Sequence, residues 1–130
     1  MPLSRVSLGA ALGALLIGHA AADVGESDFA LRTTQDLYDL CSVSKDDQDF
    51  APAIYACRGF LEATVQYHDA VSDGETFKRL ICYPDTATLE DARTAFVGWA
   101  RSNARDGALM QETPVIGVVR ALENKYPCQR

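Results

Sequence analysis

Four cysteines, Cys41, Cys57, Cys82 and Cys128, are the residues of this chain best suited to chemistry. A cysteine can act as a nucleophile, bind a metal ion or form a disulfide. Their gaps are 16, 25 and 46 residues, and none belongs to a C-x-x-C pair. Structural zinc sites normally use closely spaced ligands, and only His68 adds a histidine beyond the first 22 residues. An even cysteine count in a small chain therefore indicates two disulfides, with zinc as the weaker alternative.

The remaining polar clusters predict neither an enzyme nor a cofactor site. His68 and Asp69 are adjacent, and neighbours on a helix point in different directions, so we expect no base–orienter pair. No nucleophile elbow, zinc-protease helix, phosphate loop or dinucleotide fingerprint occurs. The stretch "DAVSDGE" has Val71 where a calcium loop needs an oxygen ligand. We therefore expect no catalytic residue, no metal and no cofactor; an enzyme is a minor alternative.

The N-terminus "MPLSRVSLGAALGALLIGHAAADVGES" has the layout of a secretory signal peptide. Arg5 precedes an apolar run, residues 6–17, which ends in small residues. Cleavage is predicted after Ala22, or after Ala20. The apolar run is shorter than the roughly 20 residues that span a bilayer, so a retained anchor is the weaker alternative.

Cleavage divides the chain into a signal peptide (1–22), a flexible lead (23–32) and one helical domain (33–130). We expect the domain to be exported, without membrane attachment once the signal peptide is cleaved.

Acidic residues outnumber basic ones in the exported part of the chain. The whole sequence has 12 basic and 18 acidic residues; removal of residues 1–22 takes away one Arg and no acid, which leaves a net charge of -7. Such a charge disfavours nucleic acid and anionic membranes and suits a basic protein partner. The joints "SKDDQD" and "HDAVSDGE" are the expected contact edges, with five candidate residues: Asp46, Asp47, Asp49, Asp73 and Glu75.

Helical periodicity predicts two helices in the first half of the domain. The first begins at Thr33 or Thr34, where a threonine cap is followed by Asp36 in the first turn. The second covers residues 50–71, with Pro52 in its first turn, where proline is tolerated. Apolar residues then recur every three or four positions along it.

Two further helices are predicted in the second half. The third follows a cap at Thr88 and ends at "ARDG", with Gly107 as a helix stop; its Trp99 fits a core position better than an interface anchor. The fourth runs from Thr113 or Pro114 to about residue 126, although "PVIGVV" has strand propensity and Gly117 suits neither state.

Short joints pack consecutive helices antiparallel. Cys41 then ends the first helix near Cys57 at the start of the second, and Cys82 precedes the third helix while Cys128 follows the fourth. The pairing Cys41–Cys57 with Cys82–Cys128 is thus the best of three connectivities. The predicted fold class is all-α: a small, disulfide-stapled four-helix bundle after a signal peptide.

Three stretches carry a family resemblance: "ACRGFLEATVQY", "ICYPDTATLEDARTAFVGWARSN" and "VVRALENKYPC". Their marks are a Cys-x-Gly-aromatic-aliphatic helix turn, a Cys-x-Pro before a Thr-capped helix, and a closing aromatic-Pro-Cys. In this order, over about residues 33–128, the chain resembles the Rap/Tai family of type VI secretion immunity proteins.

The resemblance implies a periplasmic protein that occludes a cell-wall-cleaving toxin, often an amidase. Its partner would be that protein toxin, and family members are often dimers, which makes a homodimer one expected assembly. The competing hypothesis is a periplasmic helical stress protein with chaperone-like binding and no toxin partner.

Overall fold

The computed structural model describes residues 24–72 and 77–129, and this part of the chain is all-helical, as predicted. Residues 1–23, where the signal peptide is predicted, lie outside the described residues. The elements in chain order are a 3₁₀ helix (Glu26–Ala30), α1 (Thr34–Cys41), α2 (Phe50–Ser72), α3 (Leu89–Asn103), α4 (Gly107–Gln111) and α5 (Pro114–Lys125). Four of the five α-helices are the predicted ones.

The short helix α4 is the element that the sequence analysis missed. We expected Gly107 to stop the third helix, which is wrong: α3 already ends at Asn103, and Gly107 is the first residue of α4. The Asp106 side chain caps α4, because its Oδ1 accepts hydrogen bonds from the backbone N–H groups of Ala108 (3.1 Å) and Leu109 (3.2 Å). The turn residues "RDG" therefore begin a new helix.

The predicted caps of two helices are present as reciprocal capping boxes. Thr33 Oγ1 accepts from the backbone N–H of Asp36, and the Asp36 carboxylate accepts from the N–H of Thr33. Thr88 and Asp91 repeat this arrangement at the start of α3. Each box satisfies N–H groups that would otherwise lack partners at a helix start, so these boundaries are encoded locally.

Helix α1 is the centre of the fold. The 3₁₀ helix and each of α2, α3, α4 and α5 pack against it. Its Leu37, Leu40 and Cys41 are fully buried. An isolated eight-residue helix is not stable in water, so the surrounding helices must supply most of its stability.

Long-range hydrogen bonds hold both ends of α1. At its start, the backbone N–H of Thr34 and its Oγ1 donate to the carbonyl of Glu112, at 2.8 and 3.1 Å. At its end, Arg93 Nη1 of α3 donates to the carbonyl of Cys41 at 2.7 Å. The helix is therefore fixed to the residues before α5 and to α3.

The disulfide pairing predicted from the helix order is confirmed. Cys41 bonds Cys57 with a Cα–Cα distance of 5.1 Å, and Cys82 bonds Cys128 with a Cα–Cα distance of 4.9 Å. The first bridge lies in the core, whereas Cys82 is exposed. The second bridge clamps the C-terminus to the residues before α3.

Within the described ranges, no helix has the length and apolar character needed to cross a membrane. The same residues contain no group of three or more His, Cys, Asp or Glu side chains placed to hold a metal ion.

Candidate partner-binding surface

A polar cluster at the end of α2 fixes the segment that follows it. The cluster consists of His68 and Asp69 on α2 and of Arg79 and Tyr83 beyond it; we call it the His68 cluster. Asp69 Oδ1 lies 3.1 Å from His68 Nδ1 and accepts a hydrogen bond from Arg79 Nη2 at 2.9 Å. The Tyr83 hydroxyl donates to the other oxygen of Asp69. One carboxylate thus joins α2 to two residues of the next segment.

Contact between His68 and Asp69 corrects the expectation that they would diverge. Adjacent helical side chains leave the backbone in different directions, but the imidazole ring is long enough for its Nδ1 edge to reach the carboxylate. Asp69 is in turn drawn by Arg79 and Tyr83. The pair does not resemble a catalytic base and its orienter, because His68 Nε2 already accepts from the backbone N–H groups of Leu80 and Ile81, each at 3.3 Å.

Electrostatics favour an ionised Asp69. Partial burial acts to raise the pKa of Asp69, but the hydrogen bonds from Tyr83 and His68 and the charge of Arg79 outweigh it, so the pKa is lowered. The same hydrogen bond to Asp69, with burial, raises the pKa of Tyr83. The phenol therefore stays a donor and the carboxylate an acceptor at neutral pH.

The residues 77–83, which we call the 77–83 segment, are also held from the C-terminal side. Ile81 forms an antiparallel bridge with Pro127, and the N–H of Cys82 donates to the carbonyl of Tyr126 at 2.9 Å. The Cys82–Cys128 disulfide lies beside this bridge. The segment is irregular in secondary structure but is fastened at both sides.

Two large apolar side chains of this fastened segment face solvent. Phe77 is 60% exposed and Leu80 is 42% exposed. Ile81, which contacts both His68 and Pro127, is buried. Exposed apolar groups on a rigid support are suited to protein binding, since little conformational entropy is lost on association. The sequence analysis missed both residues; the signal that could have found them is an aromatic and an aliphatic residue inside the polar joint "SDGETFKRL".

The first predicted contact edge has a largely structural role. Asp47 Oδ1 accepts from the N–H of Asp49 at 2.8 Å, and the carbonyls of Asp47 and Asp49 accept from Phe50 and Ala53. Both aspartates are half-buried, whereas Asp46 is exposed. Of the three carboxylates, that of Asp46 is the most accessible to a partner.

The second edge carries Asp73 and Glu75, and both lie outside the described residues. The nearest described residues are Ser72 and Phe77. Helix α2 has 23 residues, so its two ends are about 33 Å apart at 1.5 Å per residue. The described residues of the two edges therefore lie at opposite ends of α2.

A groove between α3 and α5 is a third surface feature, with a volume of about 1140 Å³. Trp99 lines it and is half-buried against the core, which agrees with its expected core position only in part. Charges of both signs surround it, including Asp91, Glu123, Arg120 and Lys125. This mixture indicates no preferred charge for an occupant.

Comparison with known proteins identifies the family of this chain. Neither the curated proteins nor the solved structures include a match to the chain. The family model of the Rap1a immunity proteins matches residues 33–128, from the cap of α1 to the second cysteine of the C-terminal disulfide. This range holds both disulfides and all five α-helices of the described residues. The chain belongs to the Rap1a immunity protein family.

Proposed function

We propose that this protein is exported to the periplasm and there binds and occludes a peptidoglycan-cleaving toxin of the amidase class, delivered by type VI secretion. Membership of an immunity family supports a protein toxin as partner and inhibition by binding. Two disulfides support an oxidising compartment, as does the signal-like N-terminus. The periplasm is oxidising, is reached by export, and is where cell-wall hydrolases act.

The 77–83 segment is the toxin contact in this proposal. The observation that carries it is the exposure of Phe77 and Leu80 on a segment that the His68 cluster and a disulfide hold in place. Asp73 and Glu75 adjoin this segment in the sequence, so apolar anchors would be flanked by acids. A basic cleft in the toxin would match such a surface in charge and would speed the encounter at low salt.

The first edge has the weaker case as a contact. Asp47 and Asp49 contribute to the turn before α2, and of the three aspartates only Asp46 is exposed. We assign Asp46 to long-range attraction of a basic partner. Rim charges of this kind change association rates more than the stability of a complex.

Periplasmic co-expression tests the proposal. The candidate toxin is the secreted peptidoglycan hydrolase, if any, whose gene adjoins this one. Cells that export the toxin should lyse alone and survive with the full-length protein. The matched control is residues 23–130 without the leader, which should fold less well in the reducing cytoplasm and should not protect.

Purified proteins complete the test. Gel filtration with light scattering should show one complex of toxin and immunity protein, and the same run reports whether the protein alone is a monomer or the homodimer implied by the resemblance. Equal killing with and without the exported protein, together with no complex, would refute the immunity function and favour the chaperone-like alternative.

A further inference from the structure

We propose that His68 is a proton-operated switch for part of the 77–83 segment: the neutral ring holds the backbone of Leu80 and Ile81, and the protonated ring releases it. Through that segment the switch would regulate toxin binding, and this second step rests on the proposed function. The first step concerns the free protein alone.

The neutral form of the imidazole ring fits all the hydrogen bonds that the His68 side chain makes. Its Nε2 accepts from the N–H groups of Leu80 and Ile81, both at 3.3 Å, so the ring proton lies on Nδ1, which faces Asp69 at 3.1 Å. The side chain is 8% exposed, so water has little access to replace a lost partner. The ring thus connects α2 to the backbone of the segment through a lone pair.

Protonation removes that lone pair. An imidazolium ion carries N–H groups at both nitrogens and has no acceptor. Its Nε2–H would then point at two backbone N–H groups, which are themselves donors. Either the ring turns away or Leu80 and Ile81 move, and both movements end the attachment of the Leu80–Ile81 backbone to His68. The hydrogen bonds of Arg79 and Tyr83 to Asp69 are separate attachments to α2.

The charged groups around the ring determine how readily this happens. Asp69, on the same helix, can retain its contact with the Nδ1–H group after protonation. From the 77–83 segment, Arg79 adds a positive charge on the same carboxylate, and Tyr83 is a neutral donor to it. Asp69 therefore permits protonation while the backbone contacts are lost, and Arg79 is pushed away from the newly charged ring.

Release of the Leu80–Ile81 backbone would weaken toxin binding. Leu80 is positioned by the backbone that His68 holds, so its loss of order would add an entropic cost to association. Histidine is the side chain whose ordinary charge change falls between pH 5 and 8, so a pH series over this range tests the switch.

Nuclear magnetic resonance of the free protein tests the first step. In a chain that begins at Asp23, His68 is the one histidine, so its ring signals identify its protonation without ambiguity. We expect the amide signals of Leu80 and Ile81 to shift with the same midpoint as the ring, and their hydrogen exchange, corrected for intrinsic pH dependence, to rise about tenfold or more. Ring protonation without these changes would overturn the switch.

Two variants separate the ring from its surroundings. His68→Gln removes the titrating group and should abolish the pH dependence of the two amides between pH 5 and 8. Tyr83→Phe leaves His68 and its two donors intact, so the pH dependence should persist. If His68→Gln does not fold, the wild-type ring and amide titrations still decide the matter.

Toxin affinity tests the second step. Between pH 8 and pH 5 the dissociation constant of the wild-type complex should rise about tenfold more than that of the His68→Gln complex. The same toxin is used in both, so its own titration cancels. Equal pH dependence would refute the regulatory step. Absence of any complex at pH 8 would refute the proposed function instead, and the amide measurements would still stand.

Discussion

Gly117 of α5 lies so close to Thr34 of α1 that it cannot carry a side chain. A Cβ atom on Gly117 would be 2.5 Å from Thr34 Cγ2 and 2.6 Å from Thr34 Oγ1. Both residues are buried, and the Thr34 hydroxyl itself donates a hydrogen bond to the carbonyl of Glu112. The glycine that looked unfavourable in the sequence therefore permits the contact between these two helices.

Gly117→Ala should destabilise the protein by about 1–3 kcal/mol, because the new methyl group overpacks the contact with Thr34. Helix propensity alone would favour alanine by about 1 kcal/mol. Gly98→Ala is the matched control, since a Cβ there meets open space and the substitution should be stabilising. Urea unfolding of both variants gives the comparison; a more stable Gly117→Ala protein would contradict the close packing.

Removal of either disulfide should destabilise the protein. The loops closed are 16 and 46 residues, which corresponds to about 3 and about 4 kcal/mol in the chain-entropy model. The double variants Cys41→Ala with Cys57→Ala, and Cys82→Ala with Cys128→Ala, avoid unpaired thiols and allow the two losses to be compared by thermal unfolding. Mild reductant should open the more exposed Cys82–Cys128 bridge first. Peptide mapping that joined Cys41 to Cys82 would contradict this account.

Asp69→Asn should destabilise the protein at pH 7 by about 1 kcal/mol, a value reduced from that of a buried charged hydrogen bond because the side chain is 35% exposed. The folded pKa of Asp69 is lowered from 3.8. Its stabilisation is therefore present above that unfolded value and is lost as the pH falls through the folded one.

Unfolding measured over a pH series checks this prediction. The difference between wild type and Asp69→Asn should shrink as the pH falls below about 4. Asp46→Asn is the control, because Asp46 is exposed and its substitution should change stability by less than about 0.5 kcal/mol. A penalty for Asp69→Asn that is constant with pH would show that the carboxylate charge is unimportant.

Leu80→Ser should weaken toxin binding about tenfold or more and leave the unfolding temperature almost unchanged, because Leu80 is exposed in the free protein. Ile116→Ser is the matched control: Ile116 is also 42% exposed but lies near the start of α5, away from the C-terminal residues that contact the 77–83 segment. Isothermal titration or surface binding measures both. Loss of binding in the Ile116 variant alone would show that the toxin binds near the start of α5 and not at the 77–83 segment.

Mass spectrometry of the exported protein should give an N-terminus at Asp23, or at Ala21 if the earlier site is cleaved. Both sites follow a small residue with another small residue two positions earlier. Ala22→Arg with Ala20→Arg should block processing at both sites. An intact Met1 on wild-type protein in the membrane fraction would support the retained anchor.

Local patterns were sufficient to predict much of the fold. The caps at Thr33 and Thr88, the start of α5 at Pro114 and the disulfide pairs all depend on neighbouring residues or on the order of short-jointed helices. Helix α4 was missed because the residues "RDG" suit both a helix end and a new N-cap. The described structure resolves that ambiguity through the side chain of Asp106.

The sequence by itself determined the helical class, the cysteine pairing, the acidic charge and the resemblance to an immunity family, since periodicity, spacing and composition are properties of the chain. Only the tertiary structure decided that Gly117 meets Thr34, that Arg93 holds the end of α1, and that His68 holds the 77–83 segment. These contacts join residues 12 to 83 positions apart, and no local propensity specifies which distant partner a buried polar group or a glycine will meet. That choice depends on how the helices pack around α1.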